Sequence, residues 1–242
     1  MEINDTAYGD SYFKANGQDR DRPALRWYTR ILVRNANTDL PVLDFGCGLG
    51  FLSRRLSQHF DRVVAFDLSE NARNATSKNC PLARVTQNLS EFPSGYFGSI
   101  IAIHVLEHIP TPRDTLAEIH RLLSDHGTVL IVVPDLQGRG HRLKRDGWFG
   151  FRDPTHCTLK PHDAWIEDFI AVGFRVRIQG TDGLWDGPYG SWRPTILNKI
   201  WNARGAAVQL VTGRLFLGTG TGESFVALLE KNSLGSKESN PE

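Results

Sequence analysis

The sequence predicts an α/β domain built on a mostly parallel sheet with helices on both faces. Three observations carry that reading. Short apolar runs alternate with helical patterns from about residue 41 to residue 133, as in parallel sheets whose strands are linked by helices. A glycine-rich turn, DFGCGLG (Asp44 to Gly50), follows the first of those runs. A carboxylate, Asp67, closes the second.

Taken in order, Pro41 to Phe45 (PVLDF) is short and apolar, as suits a strand buried on both faces. Phe51, Leu52, Leu56 and Phe60 are spaced for one face of a helix. Arg62 to Phe66 is a second strand, and Ser69 offers an N-cap to a polar helix reaching about Lys78. Ala83 to Gln87 and Ser99 to Ile103 supply strands three and four. Thr111 as N-cap, Pro112 at the first helical position and Asp114 behind them predict a helix. Its apolar face is Leu116, Ile119, Leu122 and Leu123, and Gly127 suits its stop. Thr128 to Val133 is a fifth strand.

Residues 135–160 carry five glycines or prolines and exceed an ordinary connection, so they read as an insertion. A helix from about His162 to Val172 then leads to a sixth strand, Phe174 to Gln179. A second insertion, 180–221, contains a helix near Thr195 to Val211, and Glu223 to Glu230 is the final strand. All this fits one domain over residues 1–232, followed by a small, polar tail at 233–242 of disordered composition.

The 242 residues are 40% apolar, with 28 basic against 27 acidic side chains and a net charge of +1. No basic stripe marks a nucleic-acid groove. Cys47, Cys80 and Cys157 are too few and scattered for a disulfide framework, which makes a reduced, cytoplasmic setting the simplest. The polar, acidic N-terminus is no signal peptide. No apolar run approaches the ~18 residues of a membrane span.

Chemistry concentrates on the glycine turn. Gly46 and Gly48 permit positive φ and let a ligand approach the backbone. With Gly50 they give G-x-G-x-G; the dinucleotide fingerprint needs its third glycine where Phe51 stands, which disfavours a nicotinamide oxidoreductase. Asp67, about twenty residues on, is placed to accept hydrogen bonds from a ribose diol. IIAIHVLEHIP (Ile100 to Pro110) raises a different idea, because His104, Glu107 and His108 have the H-x-x-E-H spacing of inverted zinc peptidases. Such a pair needs one regular helix. The apolar strand before His104 and Pro110 behind it leave almost none, so no metal site is expected.

VLDFGCGLG, VVAFDLSE, SIIAIHVLEHI and TVLIVVPD, in this order over about residues 40–135, together resemble the class I S-adenosylmethionine-dependent methyltransferases. The resemblance implies a Rossmann-like sheet of seven strands, the last antiparallel, with insertions on the substrate side after strands five and six. It also implies an N-terminal lid, here residues 1–36. S-adenosylmethionine is the implied cofactor. Asp44, Gly46 and Gly48 would border its methionine moiety, with Gly50 in the same turn. Asp67 would hold the ribose and Leu68 would pack on the adenine. Asn88 stands where the family commonly has an acidic residue facing the adenine amino group, with Leu89 beside it also at the cofactor. His104 would lie beside the sulfonium.

A hydroxyl acceptor needs a general base, often His. His156, with Asp153 to orient it in RDPTHC, and His104 are the candidates; the plainer reading makes Asp153 and Thr155 a turn around Pro154. Aromatic residues in the looser segments, Tyr12, Trp148, Phe151, Trp185 and Tyr189, suit a pocket for a flat or amphipathic small molecule. The expectation is methyl transfer to a small-molecule acceptor, foremost at a hydroxyl oxygen of a biosynthetic or sugar-like metabolite. N- or carboxyl methylation, or a cofactor-binding protein without turnover, are the alternatives. No nucleic-acid partner is expected, and monomer and homodimer both stay open.

Overall fold

The computed structural model describes residues 8–184, 204–205 and 207–232. Four parallel strands come first in the chain: β1 (Val42–Phe45), β2 (Val63–Phe66), β3 (Arg84–Thr86) and β4 (Phe97–Ile103). β5 (Leu123–Pro134) continues the parallel set beside β4. β6 (Phe174–Thr181) takes the edge, and β7 (Ser224–Lys231) inserts antiparallel between β5 and β6. The seven-stranded order is β3-β2-β1-β4-β5-β7-β6. The expected late edge is therefore real, but the last strand lies inside it.

The central strands are covered on both faces, which is why β1, β2, β4 and the second half of β5 are mostly apolar. Side chains of successive strand residues point to opposite faces. Leu43 and Phe45, with Val129, Ile131 and Val133, belong to one apolar cluster; Val42, with Leu130 and Val132, belongs to the other. After the short α1 (Asp10–Ala15), α2 (Pro23–Val33) closes the second cluster with Trp27, Ile31 and Leu32, and α3 (Phe51–Leu56) adds Leu52 and Leu56. α5 (Pro112–Leu122) and α8 (His162–Ala171) cover the first with Leu116, Ile119, Trp165 and Phe169. Ser69 caps α4 (Glu70–Asn79) as expected, its Oγ accepting from the Ala72 amide at 3.3 Å.

Two local expectations fail, each for a visible reason. The Thr111 side chain makes no capping bond to α5; its backbone carbonyl instead accepts from the Asp114 amide. Gly127 does not stop that helix. Leu123 pairs with Phe97, so β5 begins directly after Leu122, and Gly127 lies within the strand. Residues 135–160 hold α6 (Arg139–Lys144) and α7 (Phe149–Arg152). This excursion is pinched at its neck, where Asp135 bridges Lys160.

The helix expected near Thr195 to Val211 falls largely outside the described residues, although 207–212 is helical. Trp185 and Tyr189 also lie outside them, as does the tail from 233. Among the described residues, no helix is long and apolar enough to cross a membrane.

Candidate active site

Two cavities meet at the C-terminal ends of β1 and β4, where open parallel sheets bind ligands. The first, about 490 Å³, runs past Gly46, Gly48, Asp67, Leu68 and Leu89. The second, about 390 Å³, is lined by Tyr28, Phe149, Asp153, His156 and Asp182. Gln18, His104 and His108 line both.

The glycine turn forms the floor of the first cavity. Gly46 has φ +79°, and a Cβ there would stand 2.3 Å from Val105 Cγ2. Gly48 has φ +51° and packs beneath the Phe13 ring. Gly50 serves a different end. A Cβ there would meet the Thr76 backbone at 2.7 Å, so this glycine lets α3 approach α4 and does not line the cavity. Asp67 Oδ2 accepts from the Gly48 amide and Oδ1 from the Ser69 amide, both at 2.9 Å. The carboxylate thus ties the turn to the start of α4.

Asp44 is buried beneath the turn, and its Oδ2 accepts from Ser53 Oγ at 2.5 Å. It borders a small side cavity shared with Gly46 and Gln18. Burial raises its pKa from 3.8 to about 7, against the hydrogen bond from Ser53. The folded protein then keeps a proton that the unfolded chain releases above pH ~4. Stability conferred by the neutral carboxyl should decline as pH rises from about 4 to about 7, and level off beyond. At 1.4 kcal/mol per unit the decline is at most on the order of 4 kcal/mol. Asp67 and Asp182 shift in the same direction through burial, so Asp44→Asn should flatten one share of the profile. Urea midpoints at pH 4.5 and 7.5 for both proteins measure it; equal slopes would disprove the assignment.

Asn88 does not face either cavity. Its Oδ1 accepts from the Ser90 amide and hydroxyl, capping the turn at Leu89–Glu91. Acidic groups that sequence reasoning missed, Asp114 and Glu118, line the first cavity from α5. They sit one helical turn apart at i, i+4, a spacing that the capping argument for Asp114 passed over.

His104 continues β4, its amide bonded to the Val132 carbonyl, and then turns the chain with φ +54°. A non-glycine residue in that region is strained, and such residues cluster at functional sites. Its Nδ1 lies 3.1 Å from Glu107 Oε1 in the fully buried Glu107 carboxylate. That leaves Nε2 as the free ring nitrogen. Asp182, on the far wall, accepts from Tyr28 Oη at 3.2 Å and from the Ser224 amide at 3.0 Å.

The excursion after β5 is stitched directly onto this segment. The Cys157 and Thr158 amides both donate to the Glu107 carbonyl at 2.9 Å, and Thr158 Oγ1 donates to the Ile109 carbonyl. His156 is thereby brought beside His108, ring centroids 4.6 Å apart. The expected pairing of His156 with Asp153 does not form as a hydrogen bond: Nε2 is 3.8 Å from Asp153 Oδ2, while Nδ1 bonds the Gly150 carbonyl at 2.7 Å. Asp153 is otherwise engaged, accepting from Tyr12 Oη, Asn16 Nδ2, and the Thr155 amide and hydroxyl. Those bonds outweigh its desolvation and hold its pKa below the usual value. Thr155 Oγ1 in turn meets His108 Nδ1 at 2.9 Å, and burial lowers the His108 pKa.

The aromatic expectations divide. Tyr12 lines the glycine-turn cavity and bonds Asp153, tying the N-terminal segment to the excursion. Trp148 is fully buried against His141, Phe149 and Phe151, so it is core and lines neither cavity. Phe151 is half exposed and lines neither cavity. Phe149 is the ring of that trio that faces the second cavity, edge-on to His104.

Strand order, glycine turn and β2-end carboxylate together define a class I S-adenosylmethionine-dependent methyltransferase, with that molecule as cofactor. The chain belongs to a methyltransferase domain family, whose model matches residues 17–179. It is 28% identical over 111 residues to a ubiquinone biosynthesis O-methyltransferase of Methylococcus capsulatus, covering 41% of this chain and 47% of that one. It is 26% identical over 164 residues to the highly reducing polyketide synthase stpks1 of Strobilurus tenacellus, covering 55% of this chain and 6% of the synthase. The match thus spans less than half the length of either relative. A solved S-adenosylmethionine-dependent methyltransferase from Archaeoglobus fulgidus shares the fold at TM-score 0.64 and 16% identity, covering 92% of this chain and all of the other. A chain of the Haloferax volcanii complex between the Trm112 methyltransferase activator and a methyltransferase aligns at TM-score 0.65 and 18% identity, over 93% and 97%.

Proposed function

We propose that the protein moves the methyl group of S-adenosylmethionine to a hydroxyl oxygen of a small molecule held in the second cavity. His104 would be the general base. One observation carries this: His104 borders both cavities, with Nδ1 engaged by buried Glu107 and Nε2 free. In the reaction the acceptor oxygen forms a bond to the methyl carbon as the sulfur–carbon bond breaks. Bound S-adenosylmethionine would supply an activated methyl on a sulfonium whose sulfur leaves as a neutral thioether, and His104 Nε2 would take the hydroxyl proton. Glu107 stabilises the resulting imidazolium. Alignment of the two reactants contributes the rest.

On this reading Gly46 and Gly48 carry the methionine moiety, Asp44 adjoins it in the side cavity, and Asp67 binds the ribose. Leu68 and Leu89 flank the adenine. Residues 8–24 cover both cavities through Tyr8, Phe13, Gln18 and Pro23, which supports a lid role for the N-terminal segment. A cavity of 390 Å³ suits a small molecule. The net charge of +1 and absence of a basic stripe speak against a nucleic-acid acceptor. The oxygen acceptor named for the ubiquinone-pathway relative supports the same choice.

Amine methylation is the second reading, favoured by the acidic lining from Asp153, Asp182 and Glu223. Incubation with methyl-labelled cofactor and matched panels of phenols, alcohols, amines and carboxylates, with the labelled atom located by NMR, tests both. Label on oxygen of phenols or alcohols is the expected result. Label confined to nitrogen or to a carboxylate would overturn it.

A further inference from the structure

We propose that Glu107, His108 and His156 form a binding site for one divalent first-row transition ion, such as zinc. One donor atom from each lies within 4.8 Å of the others. Tetrahedral bonds of about 2.0–2.2 Å place donors on one ion roughly 3.3–3.6 Å apart, so closure needs side-chain shifts of about an ångström.

The hydrogen bonds around the cluster prepare it for a cation. Thr155 Oγ1 donates to Asp153 Oδ1, so it accepts from His108 Nδ1–H and leaves His108 Nε2 as a lone pair. His156 Nδ1–H donates to the Gly150 carbonyl, which leaves Nε2 in the same state. Outer partners that fix the tautomer in this way are characteristic of metal-bound imidazoles. His156 Nε2 then faces carboxylate oxygens of Glu107 at 3.9 Å and Asp153 at 3.8 Å, lone pair toward lone pair. A cation between these groups removes that repulsion. Glu107 supplies the independent sign: it is fully buried, its Oε1 serves His104 and faces His156, and its Oε2 has no hydrogen-bond partner, so the carboxylate keeps acceptor capacity for an ion. A buried carboxylate oxygen left unpaired is costly.

The ligand set differs from the H-x-x-E-H reading of the sequence. That motif pairs His104 with His108, whereas His104 is engaged by Glu107 Oε1 and its place is taken by His156 from the excursion after β5. The objection from the missing helix therefore does not apply. Two imidazoles and a carboxylate suit zinc, iron or manganese, and three protein donors leave room for an added oxygen ligand. His108 and His156 line the second cavity, so that ligand would be the acceptor's oxygen. This use rests on the hydroxyl reading above; the binding of the ion does not.

The full chain, stripped with a chelator and titrated with Co²⁺, provides the test by visible absorption, with Zn²⁺ read by competition. One ion per chain is expected. His156→Ala and Glu107→Gln should weaken it at least ~100-fold, and Thr155→Val about 10–100-fold through the lost outer bond. His104→Ala should retain it within about threefold. Calorimetry with S-adenosylhomocysteine checks that each variant is folded. No saturable one-to-one Co²⁺ spectrum with the unmodified chain would overturn the site, even if every variant failed to fold. So would an ion lost in His104→Ala and kept in His156→Ala. Absence of methyl transfer to hydroxyls would change none of these readings, so the two proposals fail separately.

Discussion

His104→Ala is expected to lower kcat and kcat/KM together by roughly 10²–10⁴-fold, the usual loss when a general base is removed. Cofactor affinity should change by only a few-fold, because Gly46, Gly48 and Asp67, which line the first cavity beside His104, stay in place. The reasoning is geometric. His104 is the imidazole with a ring nitrogen free, a carboxylate on the other nitrogen, and both cavities in reach. His156, whose side chain is more deeply buried, has its Nε2 turned toward Glu107 and Asp153. His104→Gln keeps volume and polarity without basicity, so it should lose nearly as much as His104→Ala. A steady-state comparison of the two variants with a hydroxyl acceptor decides the matter. A loss below about tenfold in both would remove His104 from proton transfer, and a recovery in the Gln variant would make it a positioning residue.

The parts of this site that were legible in the sequence are those written within one strand–turn–helix unit. DFGCGLG and Asp67 are local because the turn and the strand end next to it are built from adjacent segments, and burial on both faces left the strands unmistakably apolar. The misreadings arise where distant segments meet. Nothing near Glu107 shows that its carbonyl will bind the Cys157 and Thr158 amides, so the partners of His156 could not be read from RDPTHC. Asp153 looked free to orient His156 because its partners Tyr12 and Asn16 lie more than 130 residues away. Trp148 looked like a pocket wall because it sits among glycines. Gly150 instead lets backbone pack against its ring, and a Cβ there would stand 2.2 Å from it. At Leu123 the helical spacing was sound, but the residue also satisfies a strand partner, and pairing with Phe97 wins.

Asp67→Ala should weaken S-adenosylmethionine binding by about 2–3 kcal/mol, or roughly 30–150-fold, as expected for the loss of charge-assisted hydrogen bonds. Two effects share that loss. Asp67 accepts from the Gly48 and Ser69 amides, so its removal loosens the glycine turn whether or not a ligand is present. If the carboxylate also holds the ribose, a second contribution depends on the ligand's hydroxyls. Calorimetry with S-adenosylhomocysteine and an analogue lacking both ribose hydroxyls separates the two in a double-mutant cycle. Turn loosening weakens both ligands equally in the variant and cancels from the cycle. A ribose contact makes the analogue weaker than the natural ligand in the unmodified protein and nearly equal to it in Asp67→Ala. The coupling expected is most of the 2–3 kcal/mol, since a carboxylate cannot be replaced by water without losing its fixed position. A coupling near zero would leave Asp67 as a brace for the turn, and the ribose would have to be held elsewhere.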